Sequence, residues 1–508
     1  MILSILIALP LVGAGLAALF PQERASKALA FLASFTTFVF SLSLVQGFNP
    51  ADGGFQFEEQ KDLLPSLGIH YSLGMDGLSL WLILLTTFLT PWVLLASWGW
   101  IRINLRGYLA SVLVLESAMI GTLASTDLFL FYLFWELMLV PVFFLMGIWG
   151  GPNRGRATLK FVLFTMLGSL LMLVALIYAT HEAHSFDYTK LFEHTFPEDV
   201  QFWCFLAFSM AFLIKVPLFP FHAWLPDAYT EAPAGATALL SGVMVKLGVY
   251  GLLRFCIPLF PVAARDFAPW IMVLALAGVL HGALMAVLQT DFKRMAAYSS
   301  LSHMGLVLLG VFTYSLMGLQ GGLIEMIGHG VAMTAFFLLI GALWTRRESH
   351  EAEEFGGLAK VAPFLAFTFL WTLLSVAGLP AFAGFPGEVL ILLSTYKAWP
   401  LLAVLAIGGF VLTAWFLFHF YGRVFLGPLS KKPNQKVSDL SWSEILALLP
   451  LCLAALWVGL NPNLFIAPAE KTLQMKVIEK LKPPPRMTDF AAEQRHRQET
   501  LEKEKNKK

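Results

Sequence analysis

The chain has 508 residues, of which 58% are hydrophobic and 13% charged, with a net charge of +1. A soluble domain carries about 25% charged residues, so a water-soluble globular enzyme is excluded. The near-zero net charge offers no footprint for nucleic acid, and apolar runs of about 18 residues or more recur from end to end, the mark of an all-α polytopic membrane protein.

Fourteen candidate spans follow one another along the chain, near 2–20, 27–46, 77–98, 108–126, 127–149, 157–180, 201–221, 233–256, 268–288, 294–314, 318–344, 363–397, 401–422 and 442–461. The first lacks a basic flank and a clear cleavage site, so it reads as a retained span rather than a signal peptide. The polar intervals are Gly47–Gly77, Thr180–Val200 and a charged tail over 462–508. Spans seven and twelve are interrupted. The seventh contains Lys215-Val-Pro217-Leu-Phe-Pro220-Phe-His222, and the twelfth contains Gly378-Leu-Pro380-Ala-Phe-Ala-Gly384-Phe-Pro386-Gly-Glu388. Proline frees backbone carbonyls, which a bilayer tolerates only where protein or water supplies new partners. Beyond Pro483-Pro-Pro485 the tail mixes both charges. It reads either as a surface or partner-binding helix with a frayed end, or as disorder after about residue 486.

Alternate loops beginning with the first hold fifteen Lys and Arg between Arg24 and Lys436; the other loops hold five, Lys61, Lys190, Arg254, Arg265 and Lys397. That bias puts the first set in the cytoplasm and the N-terminus in the periplasm. An even span count brings the C-terminal tail to the N-terminal side, although eleven Lys and Arg against seven acids over residues 469–508 pull the other way.

The lone ionisable groups suggest an internal repeat. Lys215 to Glu388 and Lys246 to His419 are both 173 residues, Glu136 to His303 is 167, and Lys160 to His329 is 169. The chain then divides into helices 1–3 (1–107), two five-helix units (108–257 and 268–426), helix 14 (442–461) and the tail. An odd number of spans per unit makes the two units inverted, each with a discontinuous helix, 7 and 12.

Six of these groups fall near mid-membrane. At ~1.5 Å per residue, Glu136 and His303 lie about 13 Å along their spans, His329 about 16 Å and Lys246 about 19 Å. Lys215 and Glu388 flank the breaks. Each such group costs roughly 2.5–3.5 kcal/mol in a bilayer, and residues that bear that cost line ion or proton routes or pair structurally. Lysine holds its proton firmly near pH 7; desolvation loosens that hold and a nearby carboxylate tightens it. A changing Glu136–Lys215 distance would therefore switch Lys215 between holding and releasing a proton. Histidine suits a relay between such sites, or simply hydrogen-bonds a neighbouring helix. Glu116 lies in the fourth span, and Glu325 shares a helix face with His329. His222 and Asp227, just past the first break, form either an intake funnel or helix caps.

Cys204, Cys256 and Cys452 are far apart and no CxxC occurs, so neither an iron–sulfur cluster nor a metal site is indicated. With no Walker A or dinucleotide-binding glycine motif either, driving energy must come from an ion gradient or from partner subunits.

Several stretches resemble the antiporter-like membrane subunits of respiratory complex I and their Mrp and membrane-hydrogenase relatives. They are Leu73-Gly-Met-Asp76-Gly-Leu-Ser79, Phe134-Trp-Glu136-Leu-Met-Leu-Val-Pro141, Lys215-Val-Pro217, Phe221-His222-Ala-Trp-Leu-Pro-Asp227-Ala and Gln289-Thr-Asp291-Phe-Lys293-Arg294, the last running on to Ser302-His303-Met-Gly305. The likeness covers essentially residues 1–465. It implies fourteen helices in two inverted repeats, and Glu388, where other branches carry Lys, resembles the M-type branch. It further implies that Glu136 pairs with Lys215, that Lys246 and the histidines carry protons centrally, and that Glu388 serves the periplasmic exit. FMN, iron–sulfur clusters and quinone would sit in partner subunits, with L- and N-type chains as neighbours in a hetero-oligomer of the bacterial inner membrane. A cation/proton antiporter, an energy-converting hydrogenase subunit and a structural spacer are the competing readings. The spacer predicts that neutralising Lys215 leaves activity intact.

Overall fold

The computed structural model describes residues 1–482. Its helices in chain order are α1 (Ile2–Leu19), α2 (Glu23–Gly47), α3 (Gly77–Gly99), α4 (Leu105–Ala124), α5 (Leu128–Trp149), α6 (Arg154–Ala183), short α7 (Tyr188–Glu193), α8 (Glu198–Lys215), α9 (Trp224–Glu231), α10 (Ala234–Leu259), α11 (Pro261–Val287), α12 (Phe292–Val311), α13 (Leu316–Arg347), α14 (Pro363–Val376), α15 (Gly384–Ala398), α16 (Pro400–Phe425), α17 (Trp442–Leu460) and α18 (Pro462–Leu473). Eleven of the described helices are long and apolar enough to cross a membrane. The seventh, tenth and twelfth expected positions are filled by α8 with α9, by α12, and by α14 with α15.

Burial sorts them. The most apolar stretches of α10 and α13 are wholly buried, whereas α2, α16 and α17 turn most of their surface outward. With lipid as the solvent, apolarity does not mark the inside, and polar residues do: Lys246 lies on α10, and Glu325 and His329 lie on α13.

One element went unanticipated in the all-α reading. The polar interval 47–77 contains an antiparallel hairpin, β1 (Gln56–Leu64) and β2 (Ile69–Met75), turning through Pro65–Leu67 and Gly68 at φ 67°. Glu59 on β1 accepts from Leu3 N at 2.8 Å and pairs with the N-terminal amine at 3.0 Å. Strand β2 runs into Asp76, which caps α3 by accepting from Leu78 N and Ser79 N. Asp76 is fully buried and bound by Arg254 at 2.5 and 2.6 Å and by Lys476 at 3.0 Å. Burial alone would raise its carboxyl, but Arg254 and Lys476 hold it well below the usual carboxylate range.

Lys476 belongs to a helical run that continues from α18 to Leu481. This run crosses the hairpin-bearing face: Arg265 donates to the Leu481 carbonyl at 2.7 Å and Gln320 to Glu470 at 3.4 Å. It shares a face with the N-terminus, and the surface helix or disorder expected beyond Pro485 falls on residues outside the described part. Residues 483–508 lie outside the described part.

Two connections repeat. Leu128 N donates to Phe186 O and Tyr188 N to Thr126 O, both at 2.9 Å; Phe292 N donates to His350 O at 3.0 Å and Ala352 N to Thr290 O at 3.1 Å. All four residues shift by 164. Asp127 and Asp291 then cap α5 and α12 in the same way. The first connection is joined to β2 through Thr126 N and Ser72 O. The second lies at the other end of the bundle, where Lys293 donates to Thr230 O at 2.9 Å beside the start of α10.

Candidate functional site

The two breaks show where freed carbonyls go. At the first, Pro217 has no N–H, and the chain turns with Leu218 N donating to Leu213 O at 2.8 Å. The Ile214 carbonyl instead accepts from the Trp224 indole at 2.9 Å. At the second, Leu379 N donates to Leu374 O at 3.1 Å. The Val376 carbonyl would take its helical hydrogen bond from residue 380, which is proline. It accepts from His303 Nε2 at 3.0 Å instead. The second break thus binds a histidine of α12 to the end of α14.

Lys215 closes α8 and is buried, with Nζ 4.4 Å from the centroid of the Trp135 ring. Glu136 adjoins Trp135, two residues before α5 is interrupted at Met138, ahead of Pro141. Lys215 Nζ and Glu136 Oε1 have no hydrogen-bond partner among the described residues. No hydrogen bond or ion pair joins the two, although Glu136 is close enough to act electrostatically on Lys215.

Lys246 is fully buried. A wide helical turn at Leu240–Met244 precedes it and leaves the Ser241 carbonyl free to accept its ammonium. Lys246 Nζ also lies 2.8 Å from His329 Nδ1. The His329 and His303 rings stand 5.3 Å apart between centroids, and His303 Nε2 is 3.7 Å from Glu388 Oε1. His303 Nδ1 faces Ser299 O at 2.8 Å. One nitrogen, one carboxylate of Glu325 and one of Glu388 lie within 4.8 Å of one another around His303. Gly378, at φ 63°, makes room: a Cβ there would collide with Glu388 Oε2. A Cβ on Gly387 would come within 2.7 Å of Glu325. Five groups from α10, α12, α13 and α15 thus form one buried row, Lys246–His329–His303–Glu388 with Glu325 alongside.

The other expected residues fall elsewhere. Glu116 is fully buried on α4, and neither oxygen has a hydrogen-bond partner among the described residues. Asp227 pairs with Lys160 at 2.7 Å and Arg294 at 3.3 Å, on the rim of a polar cavity of about 410 Å³ that also holds Arg156 and Glu231. It makes no helix-cap hydrogen bond at α9 among the described residues. His222 instead stacks on Phe219 and meets His281 at 4.9 Å between ring centroids. His419 does not join the row: it sits on the outward side of α16, stacked on Trp415. The equal charge spacings also fail as a guide to equivalence. Lys215 ends the helix before its break, whereas Glu388 lies inside the helix after its own. Lys160 is partly exposed and pairs with Asp227, whereas His329 is buried. The backbone correspondence is 164 residues at the two connections, not 173. Sequence reasoning also missed Arg254, Lys476 and Asp76 as one cluster; the lone arginine inside an apolar span was its visible signal.

The family described as NADH:quinone oxidoreductase/Mrp antiporter, TM matches residues 125–413. The NADH-quinone oxidoreductase subunit M of Rickettsia prowazekii is 38% identical over 472 residues, covering 91% of this chain and 96% of that protein. A chain of respiratory complex I from Thermus thermophilus with bound NADH superposes with a TM-score of 0.88 at 35% identity, covering 95% of this chain and 100% of that one. A chain of the Mrp complex from Dietzia shares the fold at 22% identity, with a TM-score of 0.81 and coverage of 94% and 99%. This multi-pass membrane chain therefore belongs to the NADH:quinone oxidoreductase/Mrp antiporter family.

Proposed function

We propose that the chain is the M-type membrane-arm subunit of a proton-translocating NADH–quinone oxidoreductase. It passes protons through its buried Glu, Lys and His groups while quinone is reduced in partner subunits. The observation that carries this reading is the row from Lys246 through His329 and His303 to Glu388, in which neighbours stand at hydrogen-bond or near-contact distance. A spacer has no use for such a row, because each charge in it opposes insertion.

In this reading Glu136 and Lys215 set the charge at the head of the route. Shortening their distance favours the protonated amine; lengthening it sends a proton toward Lys246. Lys246 hands on through His329 Nδ1, His303 bridges to Glu388, and Glu325 offers a second carboxylate. The parallel connections and breaks support two inverted five-helix units, 108–257 and 268–426, within a fourteen-helix chain. The Lys and Arg bias supports a periplasmic hairpin face, with the N-terminus and the α18 run on it, in the bacterial inner membrane. L- and N-type chains are its neighbours, and FMN, iron–sulfur clusters and quinone belong to other subunits.

The test uses sealed vesicles containing the complex with Glu136→Gln. NADH–quinone electron transfer and NADH-driven proton uptake fall together, with normal assembly, if Glu136 lies on an obligatory route. Wild-type levels of both overturn the reading.

A further inference from the structure

At the end of the bundle away from the hairpin, Asp227, Thr230 and Glu231 of the short helix α9 line the polar cavity of about 410 Å³. Tyr229 stands between them in sequence but on another side of that helix. It is fully buried, and its ring packs edge to face on Phe337 of α13. Lys293 holds α9 in place by donating to the Thr230 and Ala232 carbonyls. The Tyr229 hydroxyl has no direct hydrogen-bond partner among the described residues, yet the Ser241 and Ser300 hydroxyls stand beside it. Those two are fully buried and 3.5 Å apart, the long limit of a hydrogen bond. Ser111, Ser169 and Ser209 turn their hydroxyls back to carbonyls of their own helices, whereas Ser241 and Ser300 face each other across α10 and α12. Three helices thus each bring one hydroxyl to one buried spot, and three that meet so loosely suit one shared water. Ser241 lies in the wide turn before Lys246, and its carbonyl accepts the Lys246 ammonium. Lys246 therefore has two polar neighbours: His329, which leads into the row, and Ser241, which leads into the hydroxyl cluster.

We propose that Tyr229, with Ser300 and Ser241, is the relay that reloads Lys246 with protons from the side of the Asp227–Glu231 cavity. This rests on the proton-translocation reading above and adds to it a supply that does not pass through Lys215. Once Lys246 has given a proton to His329, its neutral amine takes one from the Ser241 hydroxyl. Ser241 takes its replacement from Ser300, Ser300 from Tyr229, and Tyr229 from water on the cavity side, each directly or through the shared water. Every O–H bond that breaks is matched by one that forms, so one proton moves and no hydroxyl keeps a charge.

The test uses sealed vesicles containing the intact complex. Tyr229→Phe removes only the hydroxyl and keeps the ring on Phe337. It lowers NADH-driven proton uptake and NADH–quinone turnover several-fold at a normal level of assembled complex. It also raises the ratio of turnover in H2O to turnover in D2O above that of wild type, because proton delivery has become the slow step. A packing defect lowers the rate without raising that ratio. Ser300→Ala, a smaller change, does the same and decides if Tyr229→Phe does not assemble. Glu136→Gln, measured alongside, separates the two claims. If it lowers uptake while Tyr229→Phe and Ser300→Ala keep wild-type uptake, the relay is overturned and the translocation reading stands. If all three keep wild-type uptake, the translocation reading fails and the relay with it. A lower rate with an unchanged isotope ratio in both relay variants also overturns the relay.

Discussion

Gly378 is the residue on which the second break turns. Its φ of 63° and its closeness to Glu388 leave no room for a side chain. Gly378→Ala therefore pushes Glu388 off His303 and strains the backbone by about 1–3 kcal/mol. NADH-driven proton uptake should fall more than the amount of assembled complex, measured side by side. Arg254 acts differently. It serves Asp76 and touches no part of the charged row. Arg254→Gln leaves a buried carboxylate with Lys476 alone and costs about 3 kcal/mol, the low end for a broken buried pair. Lower assembly and a reduced melting temperature are expected, with turnover per assembled complex unchanged.

At the scale of elements, the breaks are joints whose carbonyls have been given to side chains. Pro380→Ala returns an N–H to the position that serves Val376, so α14 can extend and His303 loses its acceptor. Turnover should drop while thermal stability holds or rises, a split that separates a functional break from a packing defect. The connection beside α12 carries a pH dependence. His350 is held down at about 3, by burial first and by Lys293 second. An unfolded imidazole titrates near 6.5. The unfolded state thus takes the proton first, and stability is lost progressively as pH falls below about 6.5 toward 3. His350→Phe keeps the ring against Phe292 and removes that titration, so the melting temperature of the variant should fall less than that of wild type between pH 7.5 and 5.

For the whole molecule, the α18 run works as a strap over the hairpin face, fastened by Lys476 to Asp76 and by Arg265 to its end. Through these residues it is tied to the cap of α3 and to α11, and so links the start and the second half of the chain. Lys476→Met removes its central ion pair. Hydrogen exchange over residues 462–481 should quicken, with exchange in α10 and α13 unchanged; equal protection throughout would show that the strap is held by packing alone.

The sequence by itself determined the membrane class, the places of the helices, both breaks and the identity of the deep charges. Each of these follows from local quantities: the length of an apolar run, the missing N–H of proline, the cost of a charge in hydrocarbon. It did not determine which charges meet. Lys246, His303, His329, Glu325 and Glu388 lie on four helices, and their spacing along the chain misled, matching Lys246 with outward His419 and Lys215 with a residue on the far side of its break. Helix rotation decides such contacts, and in a bilayer apolarity does not encode rotation, because the lipid-facing and buried sides are equally apolar. The hairpin, the Asp76–Arg254–Lys476 cluster and the transfer of the Val376 carbonyl to His303 were likewise settled only by tertiary structure, since each joins residues far apart in the chain.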